Sequence, residues 1–296
     1  MFGRLGITAA VVFAFVVTQP AFAAERCTDT LRKIQDLGQI VMGYREQSHP
    51  FSYIDPAEGN KPIGYSVDLC YKIIDKIKET LDKPRLKVKL VPVTPENRIP
   101  LLKNGTIDIE CGSTTNTLIR GKQVDFLAVT FFTGTKLVVN KGSGIKEIED
   151  LKGKTIALVQ GTTNEKAVKR VDRVNDLKLK YEIVKDIGEG WSVFEGGRVD
   201  AYGTDHVLLQ GQISKSENPD RYEVVGRFLS FDPYSIMVPR NDSPFRLVAN
   251  TALADLMRSG DIQKIYDKWF NPGPQNMNMP ISSTLKTAFE IQALPY

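Results

Sequence analysis

Between Glu110 and Arg120 the chain reads Glu-Cys-Gly-Ser-Thr-Thr-Asn-Thr-Leu-Ile-Arg, a run of hydroxyls and backbone amides that ends in a guanidinium. This is the chemistry of an anion cradle. Ser113 and Thr115 can offer hydroxyls, and Arg120 supplies a planar fork that fits a carboxylate with two parallel bonds. The apolar alternation of Ile107, Ile109 and Cys111 predicts a strand, and Thr115 or Asn116 predicts the cap of a following helix whose first amides would be unpaired. Capping alone also accounts for Ser and Thr at such a turn, so this segment leaves both readings open. A second turn of the same kind follows the predicted strand Lys154 to Val159, where Gln160-Gly-Thr-Thr-Asn164 runs into a helix beginning near Glu165.

The elements that would position these groups follow from periodicity. A helix from about Thr30 to Leu37 and a strand from Gly38 to Gly43 come first. Cys70, Ile73, Ile74, Ile77 and Leu81 recur at helical spacing and predict a helix from Ser66 to Leu81. A strand from Leu86 to Val93, a short helix from Asn97 to Lys103 and the strand Thr106 to Cys111 complete a β-α-β-α-β order. That order implies an α/β fold with a mainly parallel sheet covered by helices. It restarts after Thr135 to Asn140, with strands at 154–159, 181–184 and 201–203 and helices near 165, 190–197 and 204–215. The extended segments 126–139 and 227–239 are expected to cross twice between two domains. Two further helices, Leu247 to Arg258 and Asp261 to Phe270, are separated by Gly260. In open α/β sheets ligands bind at the carboxyl ends of strands, so two such units would present their hydroxyl-rich turns to a shared cleft.

Composition narrows the class. Arg4, an apolar run from Leu5 to Val17 and Ala21-Phe22-Ala23 predict a cleaved secretory signal over residues 1–23. The expected location is therefore the periplasm, without a membrane span or lipid anchor. The formal net charge of +4, with Lys and Arg interleaved among Asp and Glu, gives no sign of nucleic acid. The three cysteines, Cys27, Cys70 and Cys111, allow at most one internal disulfide and fit no zinc pattern; if a pair forms, Cys27 with Cys70 is expected, leaving Cys111 as a small buried apolar residue. No metal or cofactor motif is present, and Ser192 fails the G-x-S-x-G elbow because position 194 is Phe.

Several strings in order carry a family resemblance: Gly43-Tyr-Arg-Glu-Gln-Ser-His-Pro-Phe-Ser-Tyr53, Gly64-Tyr-Ser-Val-Asp68, Asn97-Arg-Ile-Pro-Leu-Leu102, Glu110-Cys-Gly-Ser-Thr-Thr-Asn116, Asp150-Leu-Lys-Gly-Lys154, Gly161-Thr-Thr163, Asp267-Lys-Trp-Phe270 and Asn276-Met-Asn-Met279. Over nearly the whole mature length the chain resembles the periplasmic solute-binding proteins of amino-acid ABC transporters, and among them those for glutamate and aspartate. The resemblance implies a two-lobed clamshell of the type II periplasmic-binding-protein fold, with residues 24–132 and 232–296 in one lobe and 133–231 in the other, joined by two crossing strands as a hinge. It implies a monomer that delivers an amino acid, with an acidic one favoured, to ABC permease subunits in the membrane.

The resemblance also assigns roles. Arg120 would grip the α-carboxylate with help from Ser113 and Thr115, Asp205 would receive the α-ammonium, and Thr162 would donate from the second lobe. Arg45 and Arg98 match positions that approach the ligand side chain, and two more guanidiniums in one small pocket call for a second carboxylate between them. By spacing alone, each of these two arginines is better read as a surface or structural residue paired with Glu46 or Glu96, and only the motif context reverses that reading. Thr114, Gly161, Thr163 and Tyr53 are secondary candidates. Pro95, Val159 and Ile187 stand where relatives specific for acidic ligands place hydroxyls and a histidine, which predicts a drier pocket and a shifted preference among glutamate, aspartate and their amides. Two rivals remain: a dehydratase-like enzyme on the same fold, for which His49 and His206 are the sole histidines, and a sensor that docks on a chemoreceptor.

Overall fold

The computed structural model describes residues 29–271 and 277–296. The expected signal segment, Cys27 and Asn276 lie outside the described residues. Helix α1 (Thr30–Leu37) leads into β1 (Gln39–Tyr44). Asp29 caps α1 by accepting the Arg32 amide, and Gly38 ends it at φ 63°, a left-handed turn that costs glycine little. A small antiparallel ribbon of β2 (Gln47–Ser48), β3 (Ser52–Ile54) and β4 (Pro62–Ile63) precedes α2 (Tyr65–Thr80). Then come β5 (Lys87–Pro92), α3 (Arg98–Lys103), β6 (Ile109–Cys111) and the long β7 (Asp125–Thr133).

The middle of the chain holds β8 (Thr135–Asn140), β9 (Thr155–Val159), α4 (Thr163–Asn175), β10 (Lys180–Val184), α5 (Ile187–Glu195), β11 (Ala201–Asp205), α6 (His206–Lys215) and β12 (Tyr222–Val225). The chain then returns through β13 (Asp232–Val238), α7 (Ser243–Ser259), α8 (Asp261–Phe270) and α9 (Ser283–Gln292).

Two five-stranded sheets result, ordered β5-β1-β6-β13-β7 and β10-β9-β11-β8-β12. In each, the first three strands are parallel and the fourth is antiparallel to both its neighbours. The expected mainly parallel sheets are therefore present, each broken by one reversed strand: β13, which has come back from the other lobe, and β8, which has just entered from it. These two lobes, each an α/β sheet with flanking helices, make the clamshell.

The segments that pass between lobes touch each other. Thr135 donates its amide to Ser230 Oγ at 3.0 Å and accepts the Leu229 amide at 2.9 Å. Gly134 lies so close to Ser230 that a Cβ there would stand 2.1 Å from its carbonyl oxygen, so only glycine lets the two crossings run side by side.

The first lobe is filled from both ends of the chain. Cys70, Ile73, Ile74 and Ile77 of α2 are fully buried, as their spacing predicts. An aromatic cluster joins Phe51, Tyr65 and Phe131 to Tyr234, Tyr266 and Phe270, with Phe131 and Phe270 stacked at 4.8 Å. Edge-on and stacked pairs of this kind add about 0.5–1.5 kcal/mol each beyond the area they bury. The second lobe has its own core around Leu137, Ile156, Leu158, Val168 and Ala201.

One cysteine expectation is overturned. The disulfide joins Cys70 of α2 to Cys111 at the end of β6, with Cα atoms 6.2 Å apart, so Cys111 is a bridge partner and Cys70 is not paired with Cys27. The two residues are 41 positions apart in sequence and meet because α2 packs on the sheet beside β6.

Candidate ligand-binding site between the lobes

The cavity between the sheets is lined by residues at the carboxyl ends of the parallel strands, the place such folds reserve for ligands. Arg45 follows β1, Ser113 and Thr115 follow β6, Thr162 follows β9 and Asp205 ends β11; Arg98, Arg120 and Ile187 complete the arrangement. The space left among them is about 10 Å³, roughly one water molecule. Anything the size of an amino acid therefore enters only as the lobes separate.

The expected helix after Cys111 is absent. Instead the chain stays extended and pairs with the returning strand: Asn116 donates its amide to the Pro233 carbonyl at 2.8 Å, Ser235 donates its amide to the Thr114 carbonyl at 3.0 Å, and Thr115 bridges to Tyr234. Those bonds consume the backbone groups a first helical turn would need. A short 3₁₀ turn, Arg120–Lys122, comes later. The anion-binding character of this loop thus rests on its hydroxyls and Arg120, without a helix N-terminus.

Arg120 is held from its own side and from the opposite lobe. Its Nη1 donates to the Thr115 carbonyl at 2.8 Å, and its Nη2 donates to the Gly161 carbonyl at 3.3 Å. Burial lowers its pKa below the ordinary guanidinium value, partly opposed by Glu110, Asp232 and Asp205. Arg98 donates to Thr114 Oγ1 at 2.6 Å, and Thr114 donates in turn to Glu110 Oε2 at 2.8 Å. Burial first, and then the positive charge of Arg120, pulls Arg98 down to about 9, against the pull of Glu110, while Arg45 adds further repulsion. It remains a cation at neutral pH.

Glu110 is the residue that sequence reasoning passed over. It is fully buried, sits in the same charged cluster and lies so close to Gly112 that a Cβ there would meet Glu110 Oε1 at 2.4 Å and Arg45 Cγ at 2.9 Å. An acid between Ile109 and Cys111 in a strand buried on both faces is the signal that could have found it. Its Oε1 has no hydrogen-bond partner among the described residues, nor do Arg45 Nε and Arg98 Nε.

In the second lobe, Thr162 serves its own helix. Its Oγ1 accepts the Glu165 amide at 3.1 Å and donates to the Val159 carbonyl at 2.7 Å, so its hydroxyl is already engaged as the cap of α4. Thr163 faces Thr115 across the cleft, with the two hydroxyls 3.2 Å apart. Asp205 Oδ2 accepts from the Tyr234 hydroxyl at 2.5 Å, while Oδ1 has no partner among the described residues. Burial, followed by the nearby Asp232, raises its pKa to about 7, with Tyr234 and Arg120 acting in the opposite direction.

The structure thus brings Arg45, Arg98, Ser113, Thr115, Arg120, Thr162, Thr163 and Asp205 to one cavity. Pro95 and Ile187 line it too, and Val159 lies buried just behind. Two secondary candidates stand back: Thr114 is fully buried between Arg98 and Glu110, and Tyr53 packs edge-on against Trp269 with Lys215 Nζ 3.8 Å from its ring centroid. Gly161 contributes its carbonyl to Arg120. Arg45 has its partner in Asp186 of the other lobe, not in Glu46. Asn164 and Leu208 also reach the cavity and were not singled out from sequence.

Two lobes closing on a small polar cavity define a solute-binding protein. The profile of the bacterial extracellular solute-binding proteins, family 3, matches residues 40–272, and the chain belongs to that family. It is 42% identical over 279 residues to the L-glutamate/L-aspartate-binding protein of Pseudomonas aeruginosa, covering 93% of this chain and 92% of that one. It is likewise 42% identical over 265 residues to the glutamate/aspartate import solute-binding protein of Salmonella typhimurium, covering 88% and 87%. Among solved structures, an ancestral arginine-binding protein bound to arginine superposes with a TM-score of 0.70 at 33% identity, over 79% of this chain and 99% of its own. These relatives are named for the amino acids they bind or import.

Proposed function

We propose that this chain is the extracytoplasmic binding component of an ABC transporter for an acidic amino acid, glutamate or aspartate, and that it acts in the periplasm after loss of its signal segment. The observation that carries this reading is the cluster of three buried guanidiniums, Arg45, Arg98 and Arg120, around one small cavity with Asp205 at its far side. A zwitterion needs one fixed cation and one fixed anion, which Arg120 and Asp205 supply. The remaining cations favour a ligand that carries a second carboxylate. The names of the relatives support the same ligand class.

In this proposal Arg120, Ser113 and Thr115 hold the α-carboxylate, Asp205 the α-ammonium, and Arg98 with Arg45 the side-chain carboxylate. Thr162 and Thr163 contribute from the second lobe through backbone amides at the start of α4, since the Thr162 hydroxyl is spent on the cap. Residues 24–132 and 232–296 form the first lobe and 133–231 the second, a division supported by the two sheets and the crossings at Gly134 and Ser230. The protein acts as a monomer that presents its closed surface to the permease.

Calorimetric titration with glutamate, aspartate, glutamine and asparagine tests the proposal, with tight binding expected for at least one dicarboxylate. Arg120→Ala should weaken all four by about a hundredfold or more, because a charge-assisted pair contributes about 1.5–3 kcal/mol and a buried partner is left bare. Arg98→Ala should mainly erode preference for the acids over the amides. Tight binding of a neutral or basic amino acid with none of glutamate or aspartate would sink the proposal.

A further inference from the structure

Arg45 and Asp186 come from opposite lobes, yet Arg45 Nη2 and Asp186 Oδ2 form an ion pair of 2.8 Å, with the side chains 2% and 17% exposed. Asp186 is also fixed from its own side. It is the N-cap of α5, and its Oδ1 accepts the Ile187 amide at 2.6 Å. Ile187 then lines the cavity. Gly188 lies so close to the segment after β1 that a Cβ there would stand 2.4 Å from Gln47 Oε1. The start of α5 is thus pressed against the chain that carries Arg45, and the cation spends one arm on a protein carboxylate before any ligand group can use it.

Arg45, Arg98 and Arg120 are accompanied by four carboxyl groups, Glu110, Asp186, Asp205 and Asp232. A dicarboxylic amino acid brings one negative charge more than its amide, so each carboxylate that stands beside these cations weighs against it. We infer that Asp186 is a specificity-setting residue: by offsetting Arg45 from across the cleft it narrows the margin by which this site prefers an acidic amino acid to the corresponding amide. The inference rests on the acidic-amino-acid reading above and deepens it.

Asp186→Asn tests it directly, because the amide oxygen can still cap α5 while the charge is gone. Titrations of the full-length mature protein with glutamate and glutamine at neutral pH should show the ratio of their affinities rising about tenfold, mostly through tighter glutamate binding. A factor of that size is what one unit charge removed several ångströms away yields in a partly screened cavity. Asp186→Ser, which also retains a capping oxygen, should move the ratio in the same direction and covers the case in which the first variant folds poorly.

A purely structural role would weaken both ligands alike and leave the ratio in place. An unchanged ratio, or one that falls because Asp186 holds Arg45 in position for the ligand, overturns the inference while the functional reading stands. Failure of the wild-type protein to bind either ligand overturns both.

Discussion

Asp205 shows how one residue couples binding to pH. Its carboxyl is raised from the ordinary value of 3.8 to about 7, chiefly by burial and then by Asp232. A carboxyl whose folded pKa exceeds its unfolded value stabilises the unliganded fold fully below the unfolded pKa and loses that contribution as pH rises through about 7. A ligand ammonium needs the charged form, so affinity runs the other way. Titrations between pH 5 and 8 should show affinity falling by about tenfold for each unit below neutrality. Asp205→Asn should bind weakly throughout and flatten the profile; a wild-type affinity independent of pH would contradict the role given to Asp205.

At the scale of elements, the Cys70 to Cys111 bridge ties α2 to the strand that delivers Gly112, Ser113 and Thr115 to the site. Closing a loop of 41 residues restricts the unfolded chain and stabilises the fold by about 2–4 kcal/mol. The double variant Cys70→Ser, Cys111→Ser should therefore unfold at lower urea concentration by that free energy, and an unchanged midpoint would count against it. The same region marks how far sequence could go. Helices α1, α2, α7 and α8 and the strands around them were legible because their apolar spacing is regular and each buried face has a strip of side chains to itself. The segment after Cys111 was misread as a helix because its partner, β13, lies more than a hundred residues on, and local capping signals know nothing of it. That Arg120 belongs with a cluster of hydroxyls could be read from its own segment, whereas the placing of Arg98 and Asp205 at the same cavity came only through motif context. Asp186 and Glu110 were not singled out, since an acid's pairing across a cleft or inside a two-sided strand leaves no local period.

The whole molecule is assembled from pieces of unequal continuity. The second sheet is built from one uninterrupted stretch, β8 to β12, whereas the first needs β13, which returns after residue 231 to sit between β6 and β7. Expressed alone, residues 133–231 should melt cooperatively and give dispersed amide resonances, while residues 24–132 should not. A folded first fragment or an unstructured middle one would overturn this division. The insertion of β13 has a further consequence for the growing chain. Its parts must finish out of order: the middle can close on itself while β6 and β7 still wait with open edges, and open edges invite the wrong neighbour. The half of the molecule that is made first is thus the half that is protected last.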